Sequence, residues 1–193
     1  MLFRSNLFEP LGFANYEWMH EDPSGIANGG YGLRLRPIDM QKFGVLYLNG
    51  GVWNGRQIIP RSWVERSFTP WMHSSPKAHA PDYGWYWWAQ SFGAGWDAHL
   101  ASGWKGQRII VIPAQGIVVT MTAYVEDGSE RALTARIIED FIEPAVVHGP
   151  ARLADPAVTA ALAHVLAEVN AGPLRGPTRP EPRMVPSIER KGR

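Results

Sequence analysis

Two β-branched apolar runs, Ile109–Ile112 and Ile117–Thr122, constrain this chain more than any other feature. The connection between them, Pro113–Gly116, is short and ends in glycine. Runs of this kind read as two buried strands joined as a hairpin. Ahead of the first run lies Ala101-Ser102-Gly103-Trp104-Lys105-Gly106-Gln107. Its two glycines allow two readings. They mark a bulge at a strand end, or a place where backbone closely approaches a ligand or a neighbouring strand.

The totals narrow the function classes. A chain of 193 residues with nine Trp is long enough for one domain with a well-packed core. A net charge of +1 gives no footprint for nucleic acid or acidic lipid. There is no Cys, which removes disulfides, thiol catalysis and Cys-ligated metal but leaves the compartment unknown. The six His are scattered without metal-ligand spacing, so neither a metal site nor a cofactor is expected. MLFRSNLFEPLGF lacks the continuous apolar core of a signal peptide, and no apolar run is long enough to span a bilayer.

Read in order, Leu2, Phe3, Leu7 and Phe8 look like the last turns of a helix stopped by Pro10 and Gly12. A polar, turn-rich segment follows to Gly30. Pro37 opens a helix with Met40, Phe43, Leu46 and Tyr47 on one face, and Gly50-Gly51 end it. Asn54-Gly55 is a tight turn, and Pro60 starts a helix carrying Trp63, Val64 and Phe68. Tyr83–Trp88 reads as an aromatic strand and Ser91–Asp97 as a turn. Ser129 is a suitable N-cap for a helix bearing Leu133, Ile137, Ile138 and Phe141 that stops at Pro144. Asp155-Pro156 caps a further helix with Val158, Leu162, Val165, Leu166 and Val169 on one side. Beyond Gly172 the chain is Pro- and Arg-rich and reads as a disordered tail.

Four segments in this order carry a family resemblance: LFEPLGF (7–13), YGLRLRPIDMQKFGVLYLNGGVWNGRQIIPRSWVERS (31–67), YGWYWW (83–88) and ASGWKGQRIIVIPAQGIVV (101–119). Together they resemble the C-terminal half of the β-lactamase-related serine hydrolases. That superfamily takes in class C β-lactamases, D-alanyl-D-alanine carboxypeptidases, related esterases and 6-aminohexanoate-dimer hydrolase-like amidases. The resemblance implies an α/β (α+β) domain of the serine β-lactamase/transpeptidase type, here truncated, with helices packed on an antiparallel sheet of three C-terminal strands. It implies residues 1–147 as the hydrolase part, 148–171 as an appended helix or linker, and 172–193 as the tail.

In the resembled family the serine of S-x-x-K attacks a carbonyl, its lysine takes the proton, a Y-x-N tyrosine assists, and K-T-G or H-x-G lies on a facing strand. The first two motifs are expected upstream of LFEPLGF, so the chain reads as a fragment that is inactive alone. The alternative is a non-catalytic or complementing subunit of a split enzyme whose partner chain carries the nucleophile. Ser74-Ser75-Pro76-Lys77 and Ser102-Gly103-Trp104-Lys105 match S-x-x-K as strings, but a loop and a strand do not put both side chains on one helix face. Tyr47-Leu48-Asn49 matches Y-x-N on an apolar helix face, where core packing is expected. Ala101-Ser102-Gly103 stands where the family has its third motif. The resemblance therefore implies an oxyanion-hole N–H at Trp104 and a substrate hydrogen bond from Ser102. Ala101, Gly103, Lys105, Gly30 and Tyr31 are implied at the substrate, a small ester or amide. Ala101 removes the basic side chain, which Lys105 is close enough in sequence to replace, and His99 is a candidate assisting residue.

Overall fold

Five consecutive buried residues, Arg108–Ile112, form the strand on which the fold is built. Such a strand must be covered on both faces, because alternate side chains point to opposite sides. In the computed structural model, which describes residues 3–13, 15–18, 29–73, 81–126, 128–146 and 155–171, this is achieved by helices on both sides. Two compact units emerge, Met1–Val147 and His148–Arg193.

The first unit opens with a π-helical turn, Arg4–Phe8, and a two-stranded ribbon of β1 (Tyr16–Trp18) and β2 (Leu33–Leu35). Helix α1 (Pro37–Leu48) follows. Pro37 fits its first turn, where the missing N–H costs nothing. At the other end Gly51 N–H donates to Leu46 O (2.8 Å) and Gly50 N–H to Tyr47 O (3.0 Å), and both glycines have positive φ. That pattern satisfies two otherwise orphaned carbonyls. β3 (Val52–Trp53) and β4 (Arg56–Gln57) make a hairpin whose turn residues, Asn54 and Gly55, both have positive φ, as a type I′ turn requires. Helix α2 (Arg61–Phe68) starts after Pro60.

The main sheet is antiparallel and five-stranded: β5 (Asp82–Tyr83), β6 (Trp88–Phe92), β7 (Trp96–Ser102), β8 (Arg108–Ile112) and β9 (Ile117–Met121), in that order. On one face Ile109 and Val111 pack with Tyr47, Val64 and Trp87, beneath α1 and α2. On the other, Leu100, Ile110 and Ile112 pack with Ile138. Ile138 lies in the π-helical continuation (Ile137–Ile142) of α3 (Glu130–Arg136). Each fully buried aliphatic contributes about 1.5–3 kcal/mol, so β8 is the thermodynamic centre of the unit. Helix α1 sits close to the sheet: a Cβ on Gly44 would lie 2.5 Å from Val118 Cγ1 and 2.8 Å from Ile109 Cγ2.

A third cluster, Phe8, Leu11, Phe13 and Leu46, packs the N-terminal segment behind α1. Asp39, fully buried in the first turn of α1, ties it down. Its carboxylate accepts from Arg36 Nε (2.9 Å) and Lys42 Nζ (3.0 Å), and Lys42 Nζ also donates to Gly12 O (3.0 Å). Burial pushes the Asp39 pKa up, but the two cations outweigh it and hold the carboxyl below its ordinary value.

Three expectations are corrected. The sheet has five strands rather than three, because Trp88–Phe92 pairs along β7 and the expected Ser91–Asp97 turn shrinks to Gly93–Gly95. Tyr83–Trp88 is not one strand. Tyr83 and Trp88 pair as the ends of β5 and β6, and Gly84–Trp87 is the hairpin turn between them, with Gly84 N–H donating to Trp87 O (2.7 Å) and Tyr86 at φ +66°. Gly84 presses on the end of α2, where a Cβ would meet Ser67 O at 2.2 Å, and that contact overrides the strand propensity of the aromatics. Ser129 precedes α3 but makes no side-chain cap bond.

In the second unit, α4 (Pro156–Ala171) is capped by Asp155, whose Oδ1 accepts from Ala157 N–H at 2.8 Å. Val158, Leu162, Val165 and Leu166 are exposed on it. The tail at 172–193 lies outside the described residues. No helix among the described residues is long and apolar enough to cross a membrane.

Candidate active site

Strand β7 runs between β6 and β8 and ends at Ser102. The chain then turns through Gly103–Gln107 and enters β8. Neither a bulge nor a loose loop is formed. Gly103 N–H donates to Gln107 O (2.7 Å), and Arg108 Nη1 donates to Gly103 O (2.8 Å) and Gln107 O (3.1 Å). Gln107 Nε2 donates to Ala123 O, and Val125 N–H to Lys105 O (3.1 Å). Within the turn Lys105 has φ +62° and Gly106 φ +100°, and a Cβ on Gly106 would meet Ala123 Cβ at 3.1 Å. The glycines therefore serve close backbone packing in a loop held rigid by side-chain bonds.

Beside this strand end opens a pocket of ≈620 Å³ on the α1 face of the sheet. Leu33, Leu35, Met40 and Ile109 give it an apolar floor, and Tyr83, Tyr86 and Trp88 an aromatic wall. Ala101, Ser102, Gly103 and Gly30 line it, so the structure brings these four expected residues together. Tyr31 is 56 % exposed and does not line it. The side chains of Trp104 and Lys105 lie outside the pocket. Trp104 is 69 % exposed and edge-to-face with Tyr124, and Lys105 Nζ lies 5.3 Å from each of those ring centroids. Lys105 therefore does not join Ala101 in lining the pocket.

The string matches resolve differently. Ser74 and Lys77 lie outside the described residues. Ser102 is exposed at a strand end, with the Lys105 ammonium turned to the aromatic pair and to Glu126 O (3.4 Å). Tyr47 is buried among Phe43, Phe68 and Trp87, so Tyr47-Leu48-Asn49 is core. His99 is also packing. Its ring stacks on Phe68 at 3.8 Å and 6°, away from the pocket lining, with Nδ1 buried and unpartnered among the described residues. Burial pushes its pKa down to about 4, with Asp97 pulling weakly the other way. Of the aromatic stretch, Trp87 is core, Trp85 packs with Trp63 and Trp71, and Trp88 reaches the pocket.

Sequence reasoning missed Met40, Thr122 and the leucines of β2, which meet Tyr86 of the aromatic stretch in the pocket from four separate segments. It also missed Arg108, whose guanidinium holds the loop from the opposite face of the sheet. A smaller pocket of ≈130 Å³ there is lined by Arg108, Arg131, Gln90, Thr134 and Ser102. Among the described residues no three His, Asp or Glu side chains group as a metal site.

No family model matches the sequence, and no curated protein matches it. Solved structures do. A protein assigned as a 6-aminohexanoate-dimer hydrolase from Bacillus anthracis superposes with a TM-score of 0.57 and 23 % identity, over 74 % of this chain and 38 % of that one. A protein assigned as a β-lactamase from Bacteroides dorei gives 0.45 and 17 %, over 63 % and 43 %. The chain thus spans less than half the length of these proteins. Its helices and antiparallel sheet form part of a β-lactamase/transpeptidase-like fold.

Proposed function

We propose that this chain supplies one wall of the active site of a serine hydrolase that cleaves an ester or amide through an acyl-serine. The observation that carries the reading is the braced Gly103–Gln107 turn, whose Gly103 and Gln107 line the mouth of a largely apolar pocket. The serine comes from outside the described residues, from sequence upstream in a longer protein or from a separate chain. Its Oγ attacks the substrate carbonyl carbon and loses its proton to a neighbouring base. The Trp104 N–H and the serine's own N–H donate to the oxyanion that forms. Collapse expels the alcohol or amine with a proton, and water then releases the acid. Ser102 hydrogen-bonds the substrate rather than attacking it.

A second reading, a subunit that completes a separate chain, is favoured by β9. This strand pairs with β8 alone among the described residues, which leaves an apolar edge ready for another strand. Hydrolysis of 4-nitrophenyl butyrate tests both readings. The chain alone should not exceed the buffer rate. Addition of an upstream segment carrying S-x-x-K and Y-x-N should restore turnover. Turnover by the chain alone, lost in Ser102→Ala, would refute the half-site.

A further inference from the structure

The peptide unit that carries the proposed oxyanion donor joins Gly103 to Trp104, so its carbonyl belongs to Gly103. That carbonyl is held from the other side of the sheet. Arg108 shares its face of β8 with Ile110 and Ile112, which pack with Ile138, and its Nη1 donates to Gly103 O at 2.8 Å. The same nitrogen donates to Gln107 O at 3.1 Å, and Gln107 O also accepts from Gly103 N–H at 2.7 Å. One guanidinium nitrogen thus ties both ends of the loop together. Arg108 is 4 % exposed, and none of the salt bridges among the described residues involves it. Glu130 and Arg131 lie near enough to act on its charge, in opposite senses. A desolvated cation therefore places its charge-assisted hydrogen bonds on backbone oxygens.

In a planar trans peptide the C=O and the N–H point in opposite directions. A Gly103 carbonyl drawn towards Arg108 turns the Trp104 N–H away from the Ile138 side of the sheet. It then faces the side on which Ala101, Gly103 and Ile109 line the larger pocket. A cation on the carbonyl oxygen also withdraws electron density from the peptide nitrogen, which makes its N–H a stronger donor. We infer that Arg108 is a positioning residue for the oxyanion donor: from across the sheet it aims the Trp104 N–H at the pocket and strengthens it. The catalytic use of that N–H rests on the hydrolase reading above. Its direction and donor strength are properties of this chain alone.

Amide exchange with water, measured by NMR on the full chain at about pH 8, reads both properties without substrate or nucleophile. Hydroxide takes the Trp104 amide proton as water, the negative charge left behind is shared with Gly103 O beside Arg108, and solvent then returns a proton. In the parent protein Trp104 should exchange as fast as in the urea-unfolded chain or faster. Gly103, bonded to Gln107 O, should exchange about a hundredfold more slowly than its unfolded reference, or slower still. Arg108→Met should slow Trp104 by about fivefold while it speeds Gly103. A merely structural brace would not give that split, because a loosened loop exchanges faster at both amides. Arg108→Lys, which keeps the charge without the fork, should fall between parent and Arg108→Met. Slow exchange at Trp104 in the parent, a result that needs no variant to fold, would overturn the inference. So would faster exchange at both amides in Arg108→Met. Lys105 Nζ lies 5.3 Å from the Trp104 ring centroid, so Lys105→Gln is the control. Equal slowing in that variant would assign the effect to the Lys105 ammonium and overturn the inference as well. Failure of an upstream segment to restore turnover would remove the hydrolase reading and leave these exchange rates as they are. Restored turnover with slow exchange at Trp104 would keep that reading and remove this inference alone.

Discussion

Replacing His99 by phenylalanine should remove part of the loss of stability that this protein suffers in mild acid. The ring stacks on Phe68 and its Nδ1 is buried without a partner, so a proton there is held at a desolvation cost. Burial moves the pKa from 6.5 to about 4. The sign follows directly. Between those two values the unfolded chain binds a proton that the folded chain does not, so stability rises with pH across the interval and is lost as pH falls through it. At about 1.4 kcal/mol per pH unit, a fully buried ring would account for about 3 kcal/mol. Water screens the half-exposed edge of this ring, so we expect about 1–2 kcal/mol. Phenylalanine keeps the stack on Phe68 and does not titrate. Urea unfolding followed by circular dichroism at several pH values between 4.5 and 7.5 gives the difference between the two proteins. That difference should shift in favour of the variant by about 1–2 kcal/mol as pH drops. Parallel curves, or an imidazole NMR titration centred near 6.5, would refute the buried-neutral assignment and return His99 to the candidates for chemistry.

Asp39→Ala should cost about 1–3 kcal/mol at pH 7, less than for a pair buried on both sides because Arg36 and Lys42 keep some solvent. Because the folded carboxyl titrates below its ordinary value, that contribution is present above pH ~4 and vanishes as acid protonates it, so the variant and parent should converge at low pH in the same unfolding assay. Gly44→Val should lower the melting temperature, with a net cost of about 1–3 kcal/mol: the crowding of Val118 and Ile109 exceeds the few tenths gained in helix propensity. Arg108→Met removes both bonds that hold the Gly103 and Gln107 carbonyls. It should speed amide exchange at Gly103 by about tenfold or more, with exchange in α1 changed far less.

Much of this architecture is written in local sequence. The runs at 109–112 and 117–122, the Pro37 start and Gly50-Gly51 stop of α1, Asn54-Gly55, and Asp155 before α4 each encode their element through nearby chemistry, and each forms, although the second run is a half-buried edge strand rather than the buried one expected. The errors lie where distant contacts decide. Tyr83–Trp88 has strand composition, yet Gly84 fits against the Ser67 carbonyl and Tyr86 adopts positive φ, and neither is visible in propensity. The loop after Ser102 was legible as a place needing glycine, but not as a turn braced by Arg108 from the other face. Arg108 sits in a run of apolar residues, and that mismatch was the available signal. The pocket joins β2, α1, the β5–β6 turn and β7, so its floor and wall had no contiguous signature, whereas Ala101, Ser102 and Gly103 sit together in one motif-like string.

On the proposed reading, this chain holds an oxyanion-and-pocket wall and the attacking serine comes from elsewhere. A fluorophosphonate probe followed by peptide mapping tests it most directly. Folded protein alone should carry no stoichiometric adduct at Ser102 or Ser74. With an upstream segment bearing S-x-x-K supplied in trans, the adduct should appear on that segment's serine. A stoichiometric adduct on a serine of this chain by itself would contradict the account, because the chain would then hold its own activated nucleophile.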